Sequence, residues 1–194
     1  MHYVLATNND HKLREIRELM STQFELVRQS DFEIDGAEET GQTFVENALI
    51  KARHASKLSG LPAIADDSGL EVDALDGRPG IYSARFAGDD ASDDDNVKKL
   101  LTEMSGEQRR SARFQCVVVL LEHALDPTPL IAQGTLEGQI LTESRGQAGF
   151  GYDPVFFLPE LNKTVAELPG QKKNEISHRA KALQQLLSLM QMTW

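Results

Sequence analysis

The first 60 residues alternate short apolar runs with longer segments whose apolar positions recur every three or four residues. Each change of pattern falls at a residue type that starts or stops a helix. Residues 2–6 read as a strand. Asn8, Asn9 and Asp10 follow as capping residues, and a helix then carries Leu13, Ile16, Leu19 and Met20 on one face. Residues 24–28 read as a second strand. A second helix over 43–58 places Phe44, Ala48, Ala52, Ala55 and Leu58 near helical spacing and stops at Gly60. Residues 62–65 form a small buried strand that runs into Asp66-Asp67-Ser68-Gly69. Strands that alternate with helices commit a chain to the α/β class.

Beyond this unit the pattern loosens. Residues 76–88 read as a Gly- and Arg-rich loop, and Ser92 caps a helix reaching about residue 104, ended by Gly106. Residues 113–121 are the clearest strand in the chain. Strands over 129–136 and 138–142 are expected around a Glu137-Gly138 turn, then a Gly-rich loop over 143–154 and a short strand over 155–158. A last helix over 174–190 carries Ile176, Ala180, Leu183, Leu187 and Met190 at helical spacing. Adjacent strands after residue 112 predict that part of the sheet is antiparallel. The expected fold is α/β, with a mixed, partly antiparallel twisted sheet flanked by helices. With 194 residues, no repeat and no linker-like tract, residues 1–194 are expected to form one domain.

Several classes of function are excluded. The longest apolar run is six residues, Cys116 to Leu121, against about 20 for a membrane-spanning helix. No secretory signal pattern is present, so the cytoplasm is the expected location and no membrane partner is expected. One cysteine cannot form an internal disulfide, and the five histidines lack zinc-site spacing. A net charge of −10 argues against nucleic acid as a partner. A phosphate ligand would need a metal or a local cationic patch. Residues 163–181 offer one, with five Lys/Arg against Glu167 and Glu175.

Five segments carry groups suited to such chemistry. In Thr7-Asn8-Asn9-Asp10-His11-Lys12 a strand-to-helix turn would aim backbone N–H groups at one point, where Lys12 adds a cation; the same residues also suit ordinary capping. Asp66-Asp67-Ser68-Gly69 places two carboxylates after a strand. At ~4 Å and an effective dielectric of about 20, their repulsion is roughly 4 kcal/mol, which Mg²⁺ or Mn²⁺ would relieve. Strand residues alternate in direction, so one carboxylate alone could face the site, and a solvated turn is the competing reading. Glu38-Glu39-Thr40-Gly41 precedes the second helix, as helix-dipole complement or as a further carboxylate for the same metal. Lys51 shares a face of that helix with Phe44 and Asn47. Gly149-Phe150-Gly151-Tyr152-Asp153-Pro154 could stack a planar ligand or form a turn with buried aromatics. Lys172-Lys173-Asn174-Glu175-Ile176-Ser177-His178-Arg179 supplies hydrogen-bond donors or a solvated helix start. The acidic run Asp89 to Asp95 reads as capping, and Cys116 as an inert core residue.

Together these segments resemble the inosine/xanthosine triphosphate pyrophosphatase (XTP/dITP diphosphatase) family. The matching pieces run in order: Thr7-x-Asn9-x-x-Lys12, Glu38-Glu39-Thr40-Gly41, Phe44-x-Glu46-Asn47-Ala48-x-x-Lys51-Ala52, Ala65-Asp66-Asp67-Ser68-Gly69-Leu70, Pro79-Gly80-Ile81-Tyr82-Ser83-Ala84-Arg85, Gly149-Phe150-Gly151-Tyr152-Asp153-Pro154 and Ser177-His178-Arg179. One departure is Asn8, where a glycine is common in that family.

The resemblance implies an enzyme that hydrolyses deaminated purine nucleoside triphosphates (ITP, dITP, XTP) to the monophosphate and pyrophosphate. It also implies Mg²⁺ dependence, with Mn²⁺ as a substitute, a homodimer, and two lobes with the active site in a cleft between them. Carried over residue by residue, it assigns the metal to Glu39 and Asp67, and the base to Asp67, with Asp66 in support. Thr7, Asn8, Asn9, Lys12, Lys51 and Ser68 would hold the phosphates. Phe150 would stack on the base, Gly151 and Tyr152 would bind the substrate beside it, and Asp153, Lys173, His178 and Arg179 would read the base edge. A nucleotide sensor without turnover, or a metal phosphatase that releases orthophosphate, are the alternatives.

Overall fold

The structure, a computed structural model, describes residues 2–20 and 24–193. The elements β1 (His2–Leu5), α1 (Asp10–Met20), β2 (Glu25–Arg28), α2 (Phe44–Ser59) and β3 (Ala63–Val72) follow the predicted alternation. β1 pairs in parallel with both β2 and β3, which requires the helical crossovers that α1 and α2 supply. Then come α3 (Asp93–Glu103), β4 (Ser111–Leu121), β5 (Leu130–Ile140), β6 (Phe156–Leu158), β7 (Lys163–Thr164), α4 (Gly170–Ile176) and α5 (His178–Thr193). The seven strands lie in the order β2-β1-β3-β4-β5-β6-β7. The β5–β6 and β6–β7 pairs are antiparallel, so the sheet is mixed, as expected.

The chain divides into two compact units. The first comprises Met1–Asp67, Cys116–Gly134 and Ser177–Trp194, and the second Ser68–Gln115 and Thr135–Ile176. In the first unit the sheet is covered on both faces. Tyr3 and Leu5 pack with Leu13, Ile16 and Met20 of α1 and with Leu183, Leu186 and Met190 of α5. Val4 and Ala6, pointing the other way, pack with Ala48, Ala52 and Ala55 of α2. Double coverage explains the unbroken apolar run in β4: Cys116, Val118 and Leu120 serve one face, and Val117, Val119 and Leu121 the other. Full burial of a Leu, Ile or Met side chain contributes roughly 1.5–3 kcal/mol. The core of the second unit gathers Leu70, Val72, Leu100, Phe114 and Phe156, with the two phenyl rings 4.3 Å apart.

Helix ends follow the capping residues. Thr43 caps α2 by accepting from Glu46 N, and Gly60 ends it in the left-handed region. Ser92 and Asp95 form a capping box on α3.

Three expectations need correction. Asp66-Asp67-Ser68-Gly69 is not a turn after a short strand: it lies inside the ten-residue β3. The Glu137-Gly138 turn is absent, and β5 runs straight through. Gly138 is a packing glycine, since a Cβ there would sit 2.4 Å from the Phe156 ring. The last helix is two helices, α4 and α5. Ser177 separates them, and its Oγ accepts from Ala180 N at 3.1 Å to start α5. The loop at 76–88 also contains a 3₁₀ segment, Gly80–Arg85. No helix among the described residues is long and apolar enough to cross a membrane.

Candidate active site

The alternation of β3 separates its two aspartates. Ala63 and Ala65 face α2 while Ile64 faces α1 and α5, so Asp66 follows Ile64 and Asp67 follows Ala65. Asp66, buried, meets Lys12 Nζ of α1 at 3.0 Å and accepts from Arg179 Nε of α5 at 3.2 Å, both on Oδ2. The Arg179 guanidinium also bonds Glu15 of α1. Asp67 turns to α2: Oδ1 accepts from Lys51 Nζ at 2.9 Å, and Oδ2 lies 3.4 Å from Asn47 Nδ2. Lys51 Nζ reaches Glu39 Oε1 at the same 2.9 Å. One ammonium therefore bridges the two carboxylates expected to bind metal.

The charges of the two aspartates diverge accordingly. Burial works against ionised Asp66, but Lys12, Arg179 and Lys51 outweigh it and hold its carboxyl well below the usual range. Around Asp67, burial wins over Lys51 and Lys12 and raises the carboxyl. Lys51 is raised: burial opposes its charge, and Asp67, Asp66 and Glu39 together more than compensate. A carboxylate with an elevated pKa beside a bound cation can orient and deprotonate water; one clamped by two cations cannot.

At the start of α1 the capping reading holds. Asn9 Oδ1 accepts from His11 N at 2.9 Å and Lys12 N at 3.1 Å, and Asn9 N donates to Thr7 Oγ1 at 3.2 Å. Asn8 Oδ1 accepts from Gln29 Nε2 at 2.9 Å. Thr7, Asn9 and Lys12 are thus gathered at one helix end, where Asn9 engages the first amides.

In the second unit Asp153, buried, accepts from Phe150 N at 3.1 Å and Lys173 Nζ at 2.8 Å. The Lys173 ammonium lies 4.5 Å from the centre of the Phe150 ring. Phe150, Asp153 and Lys173 therefore form one cluster. Tyr152 does not join it as a stacking group: it is buried in the core, and its hydroxyl donates to Ser83 O at 2.9 Å. Gly151 N is likewise engaged, donating to Asp93 Oδ2 at 2.6 Å.

Ser68, half-buried, follows Asp67 on β3, and His178, buried, opens α5. Arg179 stands elsewhere than expected: it is 1 % exposed and committed to Asp66 and Glu15. The cationic stretch at 163–181 is divided between the two units. Lys163, Lys172 and Lys173 belong to one unit, Arg179 and Lys181 to the other.

Two residues were given no role by the sequence. Asn47 stands one turn before Lys51, an i, i+4 pair, and Glu15 one turn after Lys12, an i, i+3 pair. Helical spacing from an assigned lysine was the available signal for both.

Glu39 and Asp67 fit a hard divalent cation. Both are oxygen donors, and both converge on a positive charge, the Lys51 ammonium. Among the described residues no three His, Cys, Asp or Glu side chains form a metal cage. Mg²⁺ does not ask for one, because it commonly takes one or two carboxylates, waters and substrate phosphates.

The model of the Ham1 family matches residues 3–189. The chain belongs to the Ham1 family. A dITP/XTP pyrophosphatase of Photobacterium profundum is 56% identical over 190 residues, covering 96% of this chain and 96% of that protein. The solved structure of a Ham1 protein from Coxiella burnetii, 48% identical, superposes with a TM-score of 0.94 and covers 99% of both chains. A solved structure titled nucleoside-triphosphatase / dITP/XTP pyrophosphatase, from Mycobacterium abscessus, is 39% identical with a TM-score of 0.79, covering 96% of this chain and 99% of that one. The Ham1 match spans both units, so the resemblance carried by the seven motifs is borne out along the chain.

Proposed function

We propose that this Ham1 chain hydrolyses deaminated purine nucleoside triphosphates (dITP, ITP and XTP) to the monophosphate and pyrophosphate, clearing them from the nucleotide pool. The observation that carries the reading is the split of Asp66 and Asp67, which leaves the Asp67 carboxylate paired with Glu39 around one ammonium, that of Lys51. The names of the relatives set the substrate class.

Glu39 and Asp67 would hold Mg²⁺, or Mn²⁺ in its place, which would supply charge neutralisation on the triphosphate and electron withdrawal from the phosphoryl oxygens. Lys12 and Lys51, with Thr7, Asn8, Asn9 and Ser68, bind the phosphates. A carboxylate oxygen accepts two hydrogen bonds, so Asp67 Oδ2 keeps a lone pair for the attacking water. That water bonds to the α-phosphorus, its proton passes to Asp67, and the bond from the α-phosphorus to the bridging oxygen breaks, so pyrophosphate leaves. Arg179 holds Asp66 in place, and Asp66 anchors Lys12.

Phe150 stacks on the base. Lys173, oriented by Asp153, and His178 donate to its edge. Hypoxanthine and xanthine carry an oxygen at C6 where adenine carries an amine, and donors there reject the amine. A site built on such hydrogen bonds discriminates by about 10⁴-fold. The reading of residues 1–194 as one domain is supported by the interleaving of the two units along the chain. The motif resemblance supports a homodimer, and the nucleotide substrate supports a cytoplasmic setting.

Product analysis with dITP, ATP and GTP, with and without Mg²⁺, tests the reading. Pyrophosphate and dIMP from dITP, only with metal, are expected. Orthophosphate would replace it with a phosphatase, and tight binding without turnover with a sensor.

A further inference from the structure

The loop carrying Glu39 and the strand carrying Asp67 come from different parts of the sequence, yet both are fastened to one face of α2. Lys51 supplies one fastening, reaching Glu39 Oε1 and Asp67 Oδ1. Asn47, one turn earlier and fully buried, supplies a second with both ends of its amide. Its Oδ1 accepts from Gly41 N at 2.8 Å, two residues beyond Glu39, and its Nδ2 faces Asp67 Oδ2 at 3.4 Å. The two oxygens of Asp67 are thus divided between two residues of α2 in an i, i+4 pair.

The two fastenings differ in kind. The Lys51 ammonium occupies the point where the carboxylates converge, which is where a cation would compete with it. Asn47 carries no charge and touches the far oxygen of Asp67, so a cation has no reason to displace it. The loop is shaped to this contact. A Cβ on Gly41 would lie 2.7 Å from Asn47 Oδ1 and 2.6 Å from Glu46 Cβ, distances that side chains do not adopt. Gln42 N and Thr43 Oγ1 donate to Glu46 Oε2 at 2.8 and 2.9 Å, and tie the following residues to the same helix turn.

We infer that Asn47 is a positioning residue for the metal pair: through Gly41 it sets where Glu39 stands, and through Asp67 Oδ2 it sets how the Asp67 carboxylate is turned. This rests on the proposed metal-dependent reaction and adds to it a group that touches neither metal nor substrate. Groups that orient metal-binding carboxylates typically change metal affinity or activity 10–100-fold when removed.

The test is direct binding of Mn²⁺ to the nucleotide-free protein, by calorimetry or by the loss of its free-ion paramagnetic resonance signal. It is run on the wild type, Asn47→Ala, Gly41→Ala and the double variant, with Tm recorded for each. Asn47→Ala is expected to weaken Mn²⁺ binding by about 10–100-fold and to raise the Mn²⁺ needed for half-maximal dITP hydrolysis by a similar factor. Gly41→Ala deletes neither partner of Asp67 but drives the loop against the Asn47 amide, so it shifts Mn²⁺ affinity in the same direction. The double variant loses less than the product of the two single losses, because both act through one joint. A lowered Tm with unchanged Mn²⁺ affinity in Asn47→Ala would overturn the inference and leave Asn47 a core residue. If Asn47→Ala does not fold, Gly41→Ala decides on the same readout. A wild type that neither binds Mn²⁺ nor hydrolyses dITP would sink the functional reading itself, a result distinct from either.

Discussion

Asp66 and Asp67 are consecutive residues with the same side chain on the same strand, and the fold makes opposite use of them. On the face of α1 and α5, Asp66 is buried between Lys12 and Arg179, with Glu15 completing a closed set of charges. On the face of α2, Asp67 has one ammonium, which it shares with Glu39. Two cations for one inner carboxylate make a clamp, while one cation for two carboxylates leaves net negative charge that favours a further cation. The fold reaches this difference by strand alternation alone. Adjacent like charges are tolerated because the sheet between them sends each to a different helix layer.

The largest expected effect breaks the pair on the α2 side. Asp67→Asn is expected to lower kcat/KM for dITP by about 10²–10⁴-fold, the usual contribution of a general base, with no loss of Tm. Burial disfavours the ionised carboxylate there, so replacing it with a neutral amide removes a cost of folding. A fall in Tm comparable to that of an Asp66 variant would abolish the distinction.

Asp66→Asn is expected to act in the other direction. It leaves the Arg179 and Lys12 charges in a buried setting with their shared partner neutralised. Breaking a buried pair typically costs about 3–5 kcal/mol, which in a chain of this size lowers Tm on the order of 10 °C. Thermal unfolding checks it. A Tm within about 2 °C of wild type, a loss under ~1 kcal/mol, would mean that Asp66 is not a clamp.

How far the sequence foretold this contrast follows from what sets each part. The α/β class and most helix ends were legible, because Asn9, Thr43, Ser92 and Gly60 act locally through their own hydrogen bonds or dihedral angles. Gly138 and Ser177 were misread because their roles depend on distant or shared context, the Phe156 ring in one case and the change of helix in the other. The motif Asp66-Asp67-Ser68-Gly69 has the composition of a turn, but it lies in β3 between β1 and β4, with cations from the helices meeting both carboxylates. The candidate residues themselves were legible from the motifs, but their pairing was not. Nothing local in 177–179 says that Arg179 crosses to Asp66, 113 residues away, or that Tyr152 sends its hydroxyl into the core.

The two carboxylates should also separate by pH. Asp66 has a depressed pKa in the folded state, so its stabilisation is present above the ordinary carboxylate range and is lost only as pH falls through the lower folded value. The stability difference between wild type and Asp66→Asn is therefore expected to hold from pH 7 to the top of the ordinary carboxylate range, to shrink as pH falls through that range, and to close below the depressed folded value. Asp67 has the opposite sign: its raised pKa favours folding at low pH and loses that contribution as pH rises. In the metal-free protein the Asp67 carboxyl is expected to titrate above the ordinary carboxylate range. Denaturant titrations and an NMR pH titration of that carboxyl measure the two. Titration at or below an ordinary carboxylate value would remove the contrast with Asp66.

The smallest effect concerns Cys116, which sits in the core on the Asp66 face. Burial first, and then the Asp66 charge, push its thiol up to about 12. The thiolate is the reactive form, so at pH 8 the native protein is expected to resist a disulfide reagent except through unfolding. Because burial is the larger cause, neutralising Asp66 does not make the thiol reactive in the native state. Asp66→Asn should speed labelling only as far as it raises the unfolded population, and the labelling rate should therefore follow the measured stability across denaturant concentrations. Rapid labelling of a variant that remains folded would show that the Asp66 charge, and not the packing around it, keeps that face closed. The contrast between a clamped and an open carboxylate would then rest on electrostatics alone.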